Sequence, residues 1–305
     1  MKILLIGKNG QLARQLWREL ATLGEVVVAA REGGDVRLDL MQPDTVPAVV
    51  ERIAPQVIFN AAAWTAVDRA ETEAAAAHAV NGDAVGALAQ AAARRDALLV
   101  HYSTDYVFDG NGSRPWREDD PVAPQSVYGA SKLAGEQAVA ASGCAHLIFR
   151  TAWVYDTEGQ NFPRTIARLA RTRETLGVVA DQMGSPTWAR HLAQASAQIL
   201  ARLGEDASAW RAASGVYHLC GGGETSWHGF ASALLDALRA RGEALAVQEL
   251  RAIATSEYPT PAARPAYSVL DCERAAARFG VRLPHWREAF AQACESVPAA
   301  SLLFG

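Results

Sequence analysis

The stretch SVYGASKLAGEQ sets Tyr128 and Lys132 four residues apart, on one face of any helix that contains them. An unperturbed phenol titrates near ~10 and is a poor proton exchanger at neutral pH. A cation one turn away favours the tyrosinate and lowers that value. Such a tyrosine gives a proton to a carbonyl oxygen as hydride arrives, or takes one away in reverse. Tyr-x-x-x-Lys pairs are also common on plain surface helices, so position must decide. The pair follows, one strand–helix unit later, the stretch HYSTDYVFDGNG, which begins directly after the apolar run ALLV. A strand there delivers Thr104 to the carboxyl edge of a parallel sheet, where ligands bind. Its hydroxyl would donate to the same carbonyl oxygen that Tyr128 protonates, while Ser103 faces the other way and satisfies backbone. The plainer reading of the same residues is a polar turn at a strand end.

Upstream, KILLIG runs into GKNGQLARQL, with Gly7 and Gly10 spaced G-x-x-G and Ala13 at the third place of the pattern. Glycines here let backbone approach a pyrophosphate seated on a helix N-terminus, and alanine at the third place still permits close helix–strand packing. A simple turn after a strand reads the same way. The second strand, EVVVAA, ends at Ala30 and Arg31, where a dinucleotide fold often carries an acid for the adenosine ribose. A guanidinium suits a 2′-phosphate and favours NADPH; the other reading is a solvated loop arginine. Asp39 and Leu40 offer a carboxylate and an apolar wall to adenine, or an ordinary capping acid and its neighbour.

The elements needed to position these groups follow from the pattern. Apolar runs at KILLIG, EVVVAA, QVIFNAAA, ALLVHYST and HLIFRTAWVY alternate with helical stretches over about 11–23, 73–95 and from Val127. Short apolar strands separated by helices predict an α/β fold with a doubly wound, parallel, Rossmann-like sheet. The second half reads less regularly. ETLGVVADQMGSPTW is a strand, a turn and a helix start; GVYHLCGGGETSW is a strand and glycine loop with Thr225 or Ser226 capping a helix to about Arg241. A helix pair surrounds FGVRLPHW. The expected division is a dinucleotide-binding part over 1–150 and a smaller, interwoven substrate-binding part over 151–305, some of whose segments return to the sheet.

Composition narrows the partners. Among 305 residues, 29 are basic and 33 acidic, a formal charge of −4 without like-charge runs, which argues against nucleic-acid or membrane-surface partners. The 4 cysteines are dispersed and form no C-x-x-C, which disfavours metal clusters and disulfides and suits a reducing cytoplasm. The N-terminal apolar run is too short for a membrane span and lacks a cleavage site.

Together, G-x-x-G-x-x-A, NAAAWTAVD, YSTDYVF and Tyr-x-x-x-Lys resemble the extended short-chain dehydrogenase/reductase superfamily. With GKNGQL, NAAAWTAVDRAE, HYSTDYVFDG, PWRED, YGASKLAGE, HLIFRTAWVY, DQMGSPT and YPTPAARP, the likeness narrows to the dTDP-4-dehydrorhamnose reductase family and extends from Gly7 to Pro265. The resemblance implies NAD(P)H-dependent reduction of the C4 ketone of dTDP-4-dehydro-L-rhamnose, with NADPH as cofactor and NADH possible. It implies Tyr128 as general acid, Lys132 tuning it and holding the nicotinamide ribose, and Thr104 orienting the ketone. Gly10, Gln11 and Leu12 would line the pyrophosphate and adenosine side; Ala61, Ala62, Ala63, Trp64, Thr65 and Tyr102 would line the cofactor channel. Asp105 and Trp153 would face the sugar. Arg264, a loop arginine in PAARP, is assigned to the nucleotide diphosphate, against a plain exposed charge.

Some family members form a metal-linked dimer through carboxylates; the matching places here are Gln15 and Arg190, neither a hard-cation ligand. No metal is expected, and a monomer or weak homodimer is. The rival readings are a related nucleotide-sugar epimerase or dehydratase, and a non-catalytic NADP-binding regulatory subunit.

Overall fold

In the computed structural model, which describes residues 1–305, the apolar runs become β1 (Lys2–Ile6), β2 (Glu25–Ala30), β3 (Val36–Arg37), β4 (Val57–Asn60), β5 (Leu98–Thr104) and β6 (Ala145–Thr151). A seventh strand, Gly215–His218, joins them in one sheet of order Gly215–His218, β6, β5, β4, β1, β2, β3, every pairing parallel. The central strands β4 and β5 are buried along their whole length because they are apolar on both faces until their carboxyl ends. The strand order reverses between β1 and β4, so their carboxyl ends splay apart and leave the crevice in which such sheets bind ligands.

Helices cover both faces. Residues Leu98, Val100 and Tyr102 of β5 pack in a core with α1 (Gln11–Leu20) and the helix Ala189–Leu203. Leu99, between them, faces the opposite core with α2 (Val46–Ile53) and the helix Ala84–Arg94. A third core holds Trp188, Phe230, Trp286 and Phe304, together with the parallel strand pair Thr175–Val179 and Glu249–Ile253. Chain beyond residue 151 therefore serves two places: the third core, and the far edge and one face of the central sheet.

Three expected elements differ in detail. α1 ends at Leu20 rather than near residue 23, because the chain must turn to bring Glu25 beside Met1, whose carbonyl accepts from Glu25 N–H at 3.0 Å. The alanine-rich helix expected over 73–95 is broken into Ala74–His78, a π-turn Ala79–Asp83 and Ala84–Arg94. The run HLIFRTAWVY is not one strand: β6 stops at Thr151, Trp153 takes a left-handed φ of 47°, and Val154–Tyr155 pairs elsewhere, with Thr187–Trp188.

The π-turn has a use. Asn81 within it donates to the Trp64 carbonyl at 3.0 Å and to Ser131 Oγ at 3.0 Å, and accepts from Trp64 N–H at 2.9 Å. The helix Val127–Ala141, capped by Ser126 on Gly129 N–H, lies against this turn through glycine: a Cβ at Gly135 would stand 2.2 Å from the Asn81 carbonyl oxygen. Beneath it, Arg150 and Glu136 form a buried bidentate pair with a closest approach of 2.6 Å. Removing one partner of such a pair costs roughly 3–5 kcal/mol.

Gly135→Ala tests this seating. Alanine is the better helix former by about 1 kcal/mol, yet overlap with a main-chain carbonyl should lower stability by about 2 kcal/mol net. The urea midpoint should fall at unchanged slope; an unchanged or raised midpoint would show that the helix has room to spare.

Candidate active site

The cofactor side begins at Gly7, whose φ of 106° is open to glycine and strained for other residues. A Cβ there would press on Ala13 Cβ at 3.3 Å, so the small residue at the third place of the pattern is also used. Gly10 caps α1 without a side-chain hydrogen bond, so the first N–H groups of the helix stay free for an anion. Gln11 and Leu12 follow half-buried, and Gln11 Oε1 accepts from Asn161 at 2.8 Å. Arg31 leaves β2 exposed and takes part in no ion pair or hydrogen bond. Across the crevice, Ala61, Ala62, Ala63 and Trp64 are half-buried and Thr65 is exposed, all in the extended segment after β4. A glycine turn, a bare helix N-terminus and an unpaired guanidinium fit a dinucleotide phosphate chain.

Other cofactor-side residues are differently employed. Asp39 Oδ1 accepts from Met41 N–H at 3.0 Å, the capping role, and Leu40 is buried in the core beside α2. Tyr102 does not line the channel with its side chain. The ring is in the core facing α1, and its hydroxyl donates to Ser196 Oγ at 2.7 Å; only its carbonyl faces the site. The reason is strand alternation, which sends Tyr102 to the same side as Leu98 and Val100.

Tyr128 and Lys132 share the inward face of the helix Val127–Ala141 and stand over the carboxyl end of β5. The expected tuning of the phenol by the lysine is not what this structure holds. Lys132, almost fully buried, donates to the Tyr102 carbonyl at 2.5 Å and approaches His101 Nε2 at 3.5 Å. Tyr128 is half-buried overall, but burial of its hydroxyl pushes the phenol up to about 12; the Thr104 hydroxyl opposes this and the Asp105 charge adds to it. Desolvation outweighs neighbours, and it acts on Lys132 as well, drawing the ammonium down to about 8.

Thr104 ends β5 with its hydroxyl donating to Asp105 Oδ1 at 3.0 Å and accepting from Tyr106 N–H at 3.2 Å. Its proton is thus held by Asp105 rather than aimed at open space. Asp105 is buried, and its Oδ2 has no partner of hydrogen-bonding geometry, although the Ser268 hydroxyl is near enough to favour the charge. Ser103, expected to satisfy backbone, buries its hydroxyl without a partner; the ladder reaches this residue only from β6, since the pairing with β4 ends at His101.

On the sugar side, Trp153 stacks on Trp227 at 3.4 Å between centroids, 5° from parallel, and its indole lies where a Cβ on Gly184 would be, 2.4 Å away. Arg264 is not a free exposed charge: it donates to Asp68 Oδ2 at 2.8 Å, and Asp68 also accepts from Ala262 N–H. The pair sits close enough to Tyr106 to act on it, and Tyr106 meets the Tyr128 ring edge-on at 5.6 Å. Gln15 is buried and donates to Asp156 at 2.8 Å, and no group of three or more metal-ligating side chains occurs. A surface concavity of about 550 Å³ beside Arg164, Arg168 and Phe304 meets this site only at Asn161, the partner of Gln11. Asn60, Asn81, His101, Ser131 and Trp227 complete the surroundings and had no sequence-level signal of their own.

The chain is similar to known proteins along nearly its whole length. The family model described as RmlD substrate binding domain matches residues 1–298. A dTDP-4-dehydrorhamnose reductase of Burkholderia thailandensis is 52% identical over 95% of this chain and 96% of its own. One from Shigella flexneri is 45% identical over 94% and 95%. The crystal structure of dTDP-4-dehydrorhamnose reductase from Bacillus anthracis in complex with NADP superposes with a TM-score of 0.86, at 32% identity, over 97% of this chain and 99% of that one.

The buried carboxyl of Asp105 gives a pH-dependent prediction. Burial raises it to about 6, so the folded protein holds this proton more tightly than the unfolded chain. Its contribution to stability is complete below the usual carboxylate value and is lost as pH rises to about 6. Asp105→Asn should therefore raise stability at pH 7.5 by about 2 kcal/mol, with little gain at pH 4, while lowering activity. Urea midpoints at both pH values would show it; equal changes at the two would remove the burden assigned to the charge.

Proposed function

We infer that this chain, which belongs to the RmlD substrate binding domain family, carries out NAD(P)H-dependent reduction of the C4 ketone of dTDP-4-dehydro-L-rhamnose to dTDP-L-rhamnose. One observation carries the assignment of roles: Tyr128, Lys132 and Thr104 converge at the carboxyl end of β5, across the crevice from the bare N-terminus of α1. A bound nicotinamide supplies the hydride. The chain's own residues manage the proton and the geometry. Tyr128, kept protonated by burial, donates to the ketone oxygen as negative charge grows there. Lys132 has three ammonium protons, one committed to the Tyr102 carbonyl and one facing His101, which leaves a donor for a ribose and a charge to stabilise the tyrosinate left behind. Thr104 orients the ketone by turning its proton from Asp105. Trp153, propped by Trp227, supplies a flat apolar wall for a sugar ring.

Two features support NADPH and the diphosphate assignments. Arg31 is exposed, unpaired and at the end of β2, where a 2′-phosphate would lie. Arg264 is already oriented by Asp68 and would share its remaining donors with a phosphate. The elimination chemistry of a dehydratase is disfavoured: it needs an acid and a base at adjacent carbons, and Asp105 is followed by Tyr106, whose phenol burial and the Asp105 charge both push up. No helix is long and apolar enough to cross a membrane, and the four cysteines are unbridged; a cytoplasmic monomer or weak homodimer fits this reading.

Loss of NADPH absorbance on mixing the protein with the 4-keto-6-deoxy nucleotide sugar tests the reading directly. Tyr128→Phe should cut turnover by about 10²–10⁴-fold and leave NADPH binding nearly intact; a loss under about tenfold refutes the acid role. Arg31→Ala should raise KM for NADPH far more than for NADH, because only NADPH presents a 2′-phosphate. Equal effects would reduce Arg31 to a loop charge.

A further inference from the structure

Beneath Tyr128 and Lys132 lies a buried polar row with no part in the reaction as described. His101 of β5 is fully buried and pairs in register with Asn60 of β4. Its Nδ1 is 3.2 Å from Asn60 Nδ2, and its Nε2 is 3.5 Å from Lys132 Nζ. Burial first, and the Lys132 charge second, hold the imidazole well below its usual range, so the ring is neutral. A neutral imidazole has one N–H and one lone pair, and an ammonium can only donate. The nitrogen facing Lys132 must then be the lone pair, and Nδ1 must carry the proton. That proton needs an acceptor. With Asn60 Nδ2 turned toward Nδ1 there is none, and Asn60 Oδ1 is left buried without a partner. Turned end for end, the amide places its oxygen on Nδ1–H and both faults disappear together.

We propose that His101 is a positioning residue for the reduction: Asn60 fixes it as the Nδ1–H tautomer, and its Nε2 lone pair holds Lys132 as an ammonium at the site. The proposal rests on the role given to Lys132 above. The ionisable groups around Lys132 are few. His101 faces it from β5; Tyr128 and Glu136 share its helix; Asp105 and Tyr106 stand just past the end of β5; Arg150 reaches in from β6 but is closed on Glu136. Burial lowers the ammonium to about 8 with only Glu136 opposing, so its charge is lost just above neutral pH. A second acceptor, beside the Tyr102 carbonyl, extends the range over which Lys132 stays charged. Asn60 and His101 are thus aligned behind Lys132 as a supporting row that never touches substrate.

The tautomer is measurable without any variant: ¹⁵N shifts of the histidine rings in the intact protein should show a pyridine-type Nε2 and a protonated Nδ1 at His101, assigned by the signal lost in a variant. A protonated Nε2 overturns the proposal. Two substitutions separate the two contacts. His101→Gln carries its amide oxygen near the place of Nε2 and keeps an acceptor for Lys132, whereas His101→Asn carries it near Nδ1 and does not. His101→Asn should move the alkaline limb of the kcat/KM profile down by about one pH unit and raise KM for NADPH several-fold. His101→Gln should leave that limb in place. Equal shifts, or none, would overturn the positioning role, and if neither variant folds the tautomer decides alone. Failure of the unaltered chain to oxidise NADPH with the keto sugar would instead fault the assigned reaction and leave the ring-nitrogen result standing.

Discussion

Close approach of the helix Val127–Ala141 to the polypeptide around it is the constraint on which the site depends. Two glycines make it possible. A Cβ at Gly129 would stand 2.3 Å from the Tyr106 carbonyl oxygen, and one at Gly135 would stand 2.2 Å from that of Asn81. Because the helix is pressed against Tyr106 just past β5 at one point and against the π-turn at the other, Tyr128, next to the first glycine, and Lys132, between the two, are set at a fixed height over β5. The π-turn at Ala79–Asp83 supplies the second contact, and through Asn81 it ties the same helix to Trp64 on the cofactor side. One packing contact therefore couples the lysine, the tyrosine and the channel wall.

Tight packing has an electrostatic consequence. Water is removed from Tyr128, Lys132 and Asp105 at once, and each is driven toward its neutral form: phenol up, ammonium down, carboxyl up. A tyrosine that holds its proton in the free protein is ready to act as an acid in the reducing direction. In such surroundings a charge developing on a ketone oxygen interacts strongly with a nearby cation, since little solvent screens it. The cost is borne in stability, most clearly by Asp105 with one oxygen unpartnered.

How much of this was legible in the sequence depended on the range of the interaction. Gly7, Gly10 and Ala13, or Tyr128 and Lys132, act through spacings of three or four residues, and periodicity exposes them. The parallel sheet was legible because the buried strands are continuous apolar runs. Partners separated along the chain were not: Arg264 finds Asp68 across 196 residues, and Tyr102 finds Ser196 across 94. For that reason Arg264 read as a free phosphate ligand and Tyr102 as a channel residue. The π-turn escaped because one extra residue per turn leaves an alanine-rich run looking helical. The same holds for His101, whose neighbours show nothing until β4 is laid beside β5.

Several places where local rules fail lie at the site. Trp153, a bulky residue, sits at a φ of 47°, a conformation that normally calls for glycine. It is kept there by Trp227 stacked on one side and by Gly184 yielding its side-chain space to the indole. Ser103 and Asp105 each bury a polar atom without a partner at the carboxyl end of β5. A fold able to satisfy those groups would be more stable but would place no donor, acid or flat wall at the crevice, so part of the fold's strain lies where the β1–β4 reversal opens the sheet to ligand.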